Sequence, residues 1–289
     1  MKPSTQRTLF IVPWVISFLL FSAYPIVFSL GVSFADYNPF KGGLMGWAGL
    51  ANYRAVFSDG LFWRSAANTI FFVLGTVPPT AALSLLLALL IERAGRARGF
   101  LRTGYFLPSV VSLAVISLVF KYVYSKQGML NLILGLFGAS GQEWLLNPRL
   151  ALPSIMVMDV WASIGYYAIF YLAALQTVPR ELYDAARVDG AGWWSTFRSV
   201  TLPWIRPVIV FVVVVNTIRA FQVFVEVVIM TRGGPMGSTM TLVYYMYEKA
   251  FHRVDIGAAS AVAFVVFVLI TIFALLQVKL IGRMKASVG

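Results

Sequence analysis

Six long runs of apolar residues constrain the fold of this chain more than any other feature of its sequence. Four of them contain no charged residue: Thr8–Ala35, Ser65–Ile91, Thr103–Phe120 and Ile256–Val278. Two more carry isolated charges, Asp159 in 150–179, and Arg219 and Glu226 in 207–231. A helix needs about 20 mostly apolar residues to cross a bilayer, and each run approaches or exceeds that length. The sequence therefore predicts an all-α polytopic membrane protein with six transmembrane helices, at about 9–34, 67–91, 103–124, 151–177, 205–231 and 256–280.

The composition supports this fold class and removes several functions. Of the 289 residues, 60% are hydrophobic and 12% are charged, whereas about 25% are charged in soluble domains. Little chain remains after six crossings, so we expect one transmembrane domain over residues 1–289. With no cysteine and one histidine, the chain cannot form disulfides, thiolate metal sites or clusters of histidine ligands. We expect no metal site and no catalytic residue.

The basic residues are distributed as an orientation signal. The net charge of +12 would indicate a nucleic-acid partner in a soluble protein. With the N-terminus inside, the cytoplasmic segments hold 13 Lys and Arg in 60 positions, and the outer segments hold 9 in 87. Because positive residues favour the cytoplasmic side, we expect both termini in the cytoplasm, a lipid bilayer as surroundings and no nucleic acid. The first run is about twice as long as the apolar part of a signal peptide, so we expect a retained helix.

The loop between the fourth and fifth helices, 178–204, is expected to contain a short helix outside the lipid. Pro179 suits the first helical position, and Glu181 lies in the first turn, where the helix dipole favours an anion. Gly190 suits a cap at the C-terminal end. These signals predict a helix of about three turns.

One face of this short helix is flat. Leu182, Ala185 and Ala186 recur at i, i+3 and i+4 spacing, and the two alanines would allow another surface to approach closely. A docking element and an interfacial helix that only joins two spans stay equally open on this pattern.

The same loop resembles the signature loop of the permease subunits of ABC-type importers. That signature is a Glu-Ala-Ala triplet, followed by Gly and then by Ile-x-Leu-Pro, and this chain has Asp184-Ala185-Ala186, Gly190 and Val200-Thr201-Leu202-Pro203 at the same spacing. It departs in Asp for Glu and in Val for Ile. The resemblance implies that the helix is a coupling helix seated in a cleft of a cytoplasmic ATPase subunit. The residues that it assigns to coupling are Glu181, Asp184, Ala185, Ala186, Asp189, Gly190, Leu202 and Pro203.

This resemblance covers nearly the whole chain. Gly49-Leu50-Ala51-Asn52-Tyr53 and Asn68-Thr69 resemble the sugar-importing branch of these permeases. Thr231-Arg232-Gly233-Gly234-Pro235 resembles its maltose and glycerol-phosphate type subunits. The stretch 281–289 lacks the Gly-Ala-Val-Lys-Gly ending of the second permease of such pairs. The resemblance therefore implies the first member of a heterodimer.

The resemblance also implies an alternating-access mechanism with several partners. The chain has no Gly-x-x-x-x-Gly-Lys-Ser/Thr sequence and thus no phosphate cradle of that kind, so we expect a transport subunit and not an enzyme. Two cytoplasmic ATPase subunits, which hold ATP and magnesium, would dock on the 181–190 helix beside a second homologous permease. An extracytoplasmic solute-binding protein would deliver a sugar, oligosaccharide, polyol or glycerol-phosphate ester. The expected location is the plasma membrane of a bacterium or archaeon.

Polar groups inside the spans are candidates for the substrate pathway, because ionisable groups in hydrocarbon are costly and usually face a bundle interior. On a regular helix, Asn216, Arg219, Val223 and Glu226 fall within roughly 80° of one another. The alternative is a structural role in which Arg219 and Glu226 neutralise each other or pair with neighbouring helices. Their separation of about 10.5 Å along the axis argues against a tight mutual pair. The candidate pathway residues are Tyr166, Asn216, Arg219, Phe221, Gln222, Phe224 and Glu226.

Other functions and roles stay open on the sequence. A proton-coupled secondary carrier would use Asp159 or Glu226 as a relay, and a polytopic membrane enzyme would need a catalytic constellation near the interface. His252 is expected to be a solvated residue of an outer loop. A cluster of arginines is expected to anchor the cytoplasmic side, with contact to the ATPase subunit as the alternative. Its members are Arg93, Arg96, Arg98 and Arg102.

Overall fold

The chain folds almost entirely into helices, as its sequence predicts. The structure, a computed structural model, describes residues 3–94 and 98–283. The helices are α1 (Pro3–Phe18), α2 (Tyr24–Ser33), α3 (Ala51–Ser58), α4 (Gly60–Arg93), α5 (Arg98–Val110), α6 (Leu113–Val123), α7 (Met129–Leu136), α8 (Ala151–Leu175), α9 (Arg180–Val188), α10 (Trp193–Thr196), α11 (Leu202–Phe221), α12 (Val225–Met230), α13 (Leu242–Tyr247) and α14 (Ile256–Arg283). The two strands are β1 (Ala35–Asn38) and β2 (Gly43–Trp47). Outside the described residues lie the predicted cytoplasmic termini at 1–2 and 284–289, and Arg96.

Five helical stretches of the described chain are long and apolar enough to cross a membrane. They are Ile11–Ser33, Gly60–Arg93, Ala151–Leu175, Trp193–Phe221 and Ile256–Leu280. A sixth stretch joins Gly99–Val110 to Leu113–Val123 across a bend of 96°. When this pair is counted as one span, each of the six predicted spans has a counterpart.

The third predicted span, 103–124, is wrong as one continuous helix. Pro108 lies in the last turn of α5, where its ring and its missing donor disturb the helix. Ser112 has an extended backbone with ψ of 131°, and α6 starts at the next residue. The apolar run continues through both helices, so hydrophobicity alone conceals the change of direction.

The fifth predicted span, 205–231, is also wrong in its course. Its helix begins earlier, and Trp193–Phe221 is continuous through a π-helical turn. It stops at Phe221, and α12 follows after a break. The backbone carbonyl of Val223, freed by the break, accepts a hydrogen bond of 3.1 Å from the Thr241 hydroxyl. Because this bond comes from a distant part of the chain, periodicity within the span cannot predict the break.

The described chain divides into two compact units, of which the larger is Arg64–Tyr244 with Leu269–Gly289. Helix α8 lies at its centre. In the apolar window of this span 67% of the residues are buried, compared with 28% in the window of Trp193–Phe221. A side chain at Gly165 of α8 would overlap the backbone carbonyl of Tyr105, so only glycine allows α5 to lie this close. The main apolar core of this unit includes Leu87, Ala88, Ile91, Tyr167, Tyr171, Leu175, Ile205 and Val212.

The smaller unit, Met1–Trp63 with Tyr245–Val268, contains a β-hairpin that the all-α prediction did not include. Strands β1 and β2 are antiparallel, with Ala35 opposite Trp47. The Asn52 side chain on α3 donates hydrogen bonds of 3.0 and 2.9 Å to the carbonyls of Ser33 and Ala35. These bonds tie α3 to the end of the first span and the start of the hairpin.

Candidate functional site

A buried ion pair links α8 to α11. Arg219 Nη2 lies 2.7 Å from both carboxylate oxygens of Asp159 and donates a further bond of 2.7 Å to Ser163 Oγ. The Asp159 side chain is 1% exposed, and that of Arg219 is 35% exposed. Asp159 and Ser163 are four residues apart on α8, so successive turns present both of them to α11. Arg219 therefore pairs with a neighbouring helix and not with Glu226.

A second carboxyl group lies beside this pair. Glu226, in the first turn of α12, is 3% exposed and interacts electrostatically with Asp159 and Arg219. Charges are costly to remove from water unless they compensate one another. This cost explains why Asp159 and Arg219 form a pair, although 60 residues separate them. Glu226 lies beside the pair as a second carboxyl group.

A cavity of about 230 Å³ opens next to the guanidinium of Arg219. Its lining comes from the α5–α6 corner, from α8 and from α11: Pro108, Ser109, Val111, Leu113, Ile116, Ala162, Ser163, Tyr166, Tyr167 and Arg219. Arg219 Nε and the Ser109 hydroxyl have no hydrogen-bond partner among the described residues, and both atoms are buried. The site thus combines apolar walls with a few polar side chains, an arrangement typical of ligand pockets.

The predicted polar stripe on the fifth helix is wrong as a continuous face. Because α11 ends at Phe221, Val223 and Glu226 do not continue its turns. Glu226 belongs to α12, a separate helix. The charged groups still lie together, but the break and the ion pair bring them together, not helical spacing.

The structure brings only part of the predicted pathway set to the cavity. Arg219 and Tyr166 line it, and the Tyr166 side chain is 44% exposed. The remaining candidates have other surroundings: Asn216, Phe221 and Glu226 are buried, Gln222 is exposed and Phe224 is half-buried. Sequence reasoning missed Ser109, Ser163 and Tyr167. Of these, Ser163 could have been found, because it follows Asp159 by one helical turn.

The short helix of the signature loop is α9. It begins at Arg180, with Pro179 as the capping residue outside it, one residue later than predicted. Gly190 has φ of +72°, the left-handed conformation that glycine adopts without strain. Ala191 N–H donates to Ala186 O at 2.9 Å and Gly190 N–H to Arg187 O at 3.0 Å, which is the Schellman pattern. The predicted glycine cap is confirmed.

The predicted flat face of α9 is wrong in one member. Ala186 is 9% exposed, so it faces the chain itself, and the nearby Tyr183 hydroxyl lies 3.1 Å from Thr201 Oγ1. The outward side instead carries Asp184, whose side chain pairs at 3.0 Å with Arg187 and remains 65% exposed. The other predicted coupling residues of this helix and its cap are exposed: Glu181, Ala185, Asp189 and Gly190. Leu182 of the predicted flat face is exposed as well.

The second half of the loop runs as a helix into the fifth span. Pro203 directly follows the π-helical turn Phe197–Thr201 of this continuous helix, and Leu202 beside it is half-buried. Trp193 stacks on Phe197, and the Arg93 guanidinium lies 4.9 Å from the Trp193 ring centroid. This cation–π contact fixes one arginine of the predicted basic group against the loop.

A polar cluster in the smaller unit joins Asp59, which precedes α4, to Tyr245 of α13 and to Lys249 in the π-helical turn that follows it. The Asp59 carboxylate accepts bonds from the Tyr245 hydroxyl at 2.8 Å and the Leu61 N–H at 2.9 Å, and lies 3.2 Å from Lys249 Nζ. Burial raises the pKa of Asp59, but these hydrogen bonds and the Lys249 charge outweigh burial and leave the pKa below its ordinary value. His252 is 57% exposed, as predicted, and lies 3.0 Å from Glu248.

Comparison with known proteins decides the family. The sequence profile described as binding-protein-dependent transport system inner membrane component matches residues 58–286. The chain belongs to this family. The permease is 35% identical to the lactose transport system permease protein of Rhizobium radiobacter, over 93% of this chain and 91% of the relative. It is 31% identical to the trehalose/maltose transport system permease protein of Thermococcus litoralis, over 96% and 93% of the two chains.

Further comparisons agree with this membership. The arabinooligosaccharides transport system permease protein of Bacillus subtilis is 30% identical to the permease, over 96% of this chain and 89% of the relative. The fold matches a chain of a bacterial ABC transporter involved in the import of the acidic polysaccharide alginate, with a TM-score of 0.85 and 24% identity over 98% of this chain and 96% of that chain. The resemblance found in the sequence is confirmed. The permease is a membrane transport subunit, and this membership favours neither a self-sufficient carrier nor a membrane enzyme.

Proposed function

We propose that this permease forms half of the sugar pathway of an ATP-driven, binding-protein-dependent importer in the plasma membrane of a bacterium or archaeon. Relatives named for lactose, arabinooligosaccharides and trehalose/maltose support a sugar as the solute. A second homologous permease completes the channel, and an extracytoplasmic solute-binding protein delivers the solute. Two cytoplasmic ATPase subunits hold ATP and magnesium. Both termini of the permease lie on the ATPase side.

The observation that carries this proposal is the capped and tethered helix α9. Its outward side presents Glu181, Asp184 and Ala185. The Schellman cap at Gly190 fixes its end, and the Tyr183–Thr201 contact holds its inner side. A short helix held in this way moves as one body with the chain behind it. It can therefore transmit closure of an ATPase dimer to the spans, which a loose connector cannot do.

Transport then requires two states of the bundle with different access to the cavity. ATP and the loaded binding protein bias the equilibrium between an outward-facing and an inward-facing state. The cavity beside Arg219 contributes this permease's share of the pathway. Tyr166 offers an aromatic ring to the apolar face of a sugar, and the serine and tyrosine side chains of the lining are the candidate partners of its hydroxyls.

Purification and reconstitution test the proposal. The permease, expressed with its candidate second permease and ATPase subunit, is expected to co-purify as one complex and to hydrolyse ATP. In proteoliposomes the complex is expected to import a radiolabelled sugar only with ATP and the loaded binding protein. A lone permease that imports sugar at the full rate would contradict the assembly, and an assembled complex that imports only a solute other than a sugar would contradict the substrate class.

A further inference from the structure

We infer that the cavity beside Arg219 selects uncharged saccharide units and rejects acidic ones. This inference rests on the proposed function, because it assigns the cavity to the sugar pathway. It goes further by fixing the charge of the solute, which the family leaves open. The observations that carry it are the pairing of Arg219 and the nature of the remaining lining.

Arg219 is the single charged residue among the ten that line the cavity. Its charge is already compensated, since one guanidinium nitrogen lies 2.7 Å from both oxygens of Asp159. Glu226 adds a second carboxyl group that interacts with the same pair. An acidic solute would leave water and meet no free positive charge, so its desolvation would go uncompensated.

The rest of the lining suits an uncharged sugar. Apart from Arg219, the polar members of the lining are uncharged: Ser109, Ser163, Tyr166 and Tyr167. Hydroxyl groups of this kind both donate and accept hydrogen bonds, as sugar hydroxyls do. Tyr166 stands edge-on to the Tyr167 ring, with centroids 5.1 Å apart, and keeps 44% of its surface exposed. At about 230 Å³ the cavity is smaller than the roughly 300–1,000 Å³ of sites for drug-sized ligands. It therefore fits about one saccharide unit at a time.

The test compares two small probes of the same ring structure, methyl β-glucoside, with a hydroxymethyl group at C6, and methyl β-glucuronide, with a carboxylate at C6. The assembled transporter is placed in nanodiscs without its binding protein, so that the binding protein cannot do the selecting. Dissociation constants are measured by ligand-observed NMR, without nucleotide and with a non-hydrolysable ATP analogue. The wild-type complex is expected to bind the glucoside at least about tenfold more tightly than the glucuronide.

Two variants test whether the Asp159–Arg219 ion pair causes the preference for the glucoside. Asp159→Asn removes the carboxylate that lies 2.7 Å from the Arg219 guanidinium. The site becomes more positive by one charge, so the ratio is expected to shift toward the glucuronide by about tenfold or more. The matched control, Asp159→Asn with Arg219→Gln, restores the net charge of the wild-type site and is expected to return the preference for the glucoside. If the single variant fails to assemble, the test rests on the wild type and the double variant. Both are expected to bind the glucoside more tightly, and a preference of either for the glucuronide would overturn the inference.

The outcomes separate this inference from the proposed function. Equal or tighter binding of the glucuronide by the wild type overturns the inference and leaves the sugar importer intact. An unchanged ratio in an assembled Asp159→Asn complex also overturns it, because the compensated charge would then play no part in selection. Binding of neither probe, together with import of a solute other than a sugar, overturns the proposed function itself.

Discussion

Removing Arg219 should destabilise the permease more than removing the charge of Asp159, although the two residues form one ion pair. Breaking a buried pair by losing one partner costs about 3–5 kcal/mol, because the other charge is stranded. Arg219→Leu leaves the Asp159 carboxylate, which is 1% exposed, without its partner and beside Glu226. We therefore expect the free energy of unfolding to fall by about 4–5 kcal/mol. Asp159→Asn strands a guanidinium that is 35% exposed, so solvent screening reduces the expected cost to about 2 kcal/mol.

Thermal unfolding of the purified complex in nanodiscs measures this asymmetry. For chains of this size, about 1 kcal/mol shifts the Tm by roughly 2–3 °C. Arg219→Leu should therefore lower the Tm by about 10 °C, and Asp159→Asn by about 5 °C. The double variant, Asp159→Asn with Arg219→Leu, removes the carboxylate that Arg219→Leu strands beside Glu226, and should recover at least about 2 kcal/mol of unfolding free energy relative to Arg219→Leu alone.

Two results would refute this reasoning. Equal losses of Tm in the two single variants would mean that the carboxylate is no more desolvated than the guanidinium. A double variant that is less stable than Arg219→Leu would mean that the pair acts through packing and not through charge. In either case the compensation of charge between α8 and α11 would not explain the site.

Three further predictions concern α9 and Asp59, which lies between α3 and α4. Gly190→Val places a β-branched residue at φ of +72°, at a local cost of about 1–2 kcal/mol; in proteoliposomes it should lower sugar uptake more than ATP hydrolysis, and Gly190→Asn, which tolerates this conformation, is the control. Tyr183→Phe and Thr201→Val should each cost about 0.5–1.5 kcal/mol in chemical denaturation, and the double variant should cost no more than one of them because they share one hydrogen bond. Since the pKa of Asp59 is lowered, its contribution to stability should be present above its unfolded pKa of about 3.9 and lost as the pH falls through its lower folded pKa; the difference in Tm between the wild type and Asp59→Asn should therefore shrink below about pH 4.

Each of these predictions has a contradicting result. For Gly190→Val, uptake and hydrolysis that fall in the same proportion would argue against a role in coupling. Additive losses in the Tyr183 and Thr201 variants would show that the two hydroxyls act separately. A difference in Tm at Asp59 that is unchanged down to pH 2 would show that ionisation of this carboxyl does not stabilise the fold.

Local signals in the sequence were sufficient for features that depend on neighbouring residues. The spans follow from the length of the apolar runs, and the end of α9 follows from Gly190, because its left-handed backbone requires a residue that tolerates it. The family follows from the spacing of that glycine to Asp184 and Pro203. None of these features needs a contact between distant parts of the chain.

Features that depend on distant contacts could not be predicted. Ala186 has the right spacing for an outward face, but the Tyr183–Thr201 contact turns it inward. The break after Phe221 becomes possible because Thr241 satisfies the freed carbonyl of Val223. Asp159, Arg219 and Glu226 are visible in the sequence as isolated charges. Their pairing becomes apparent only once α8, α11 and α12 are packed together.

The continuous helix of the fifth span connects the two parts of the proposed mechanism. Thr201, which holds α9 through Tyr183, and Arg219, which lines the cavity, lie on the same helical stretch from Trp193 to Phe221. Eighteen residues separate them, or about 27 Å along the axis. The helix is continuous over this distance, with Pro207 inside it, so a tilt imposed at α9 should move the guanidinium and its partner on α8. The break after Phe221 then ends the continuous segment just beyond the ion pair and leaves α12 to follow a separate course.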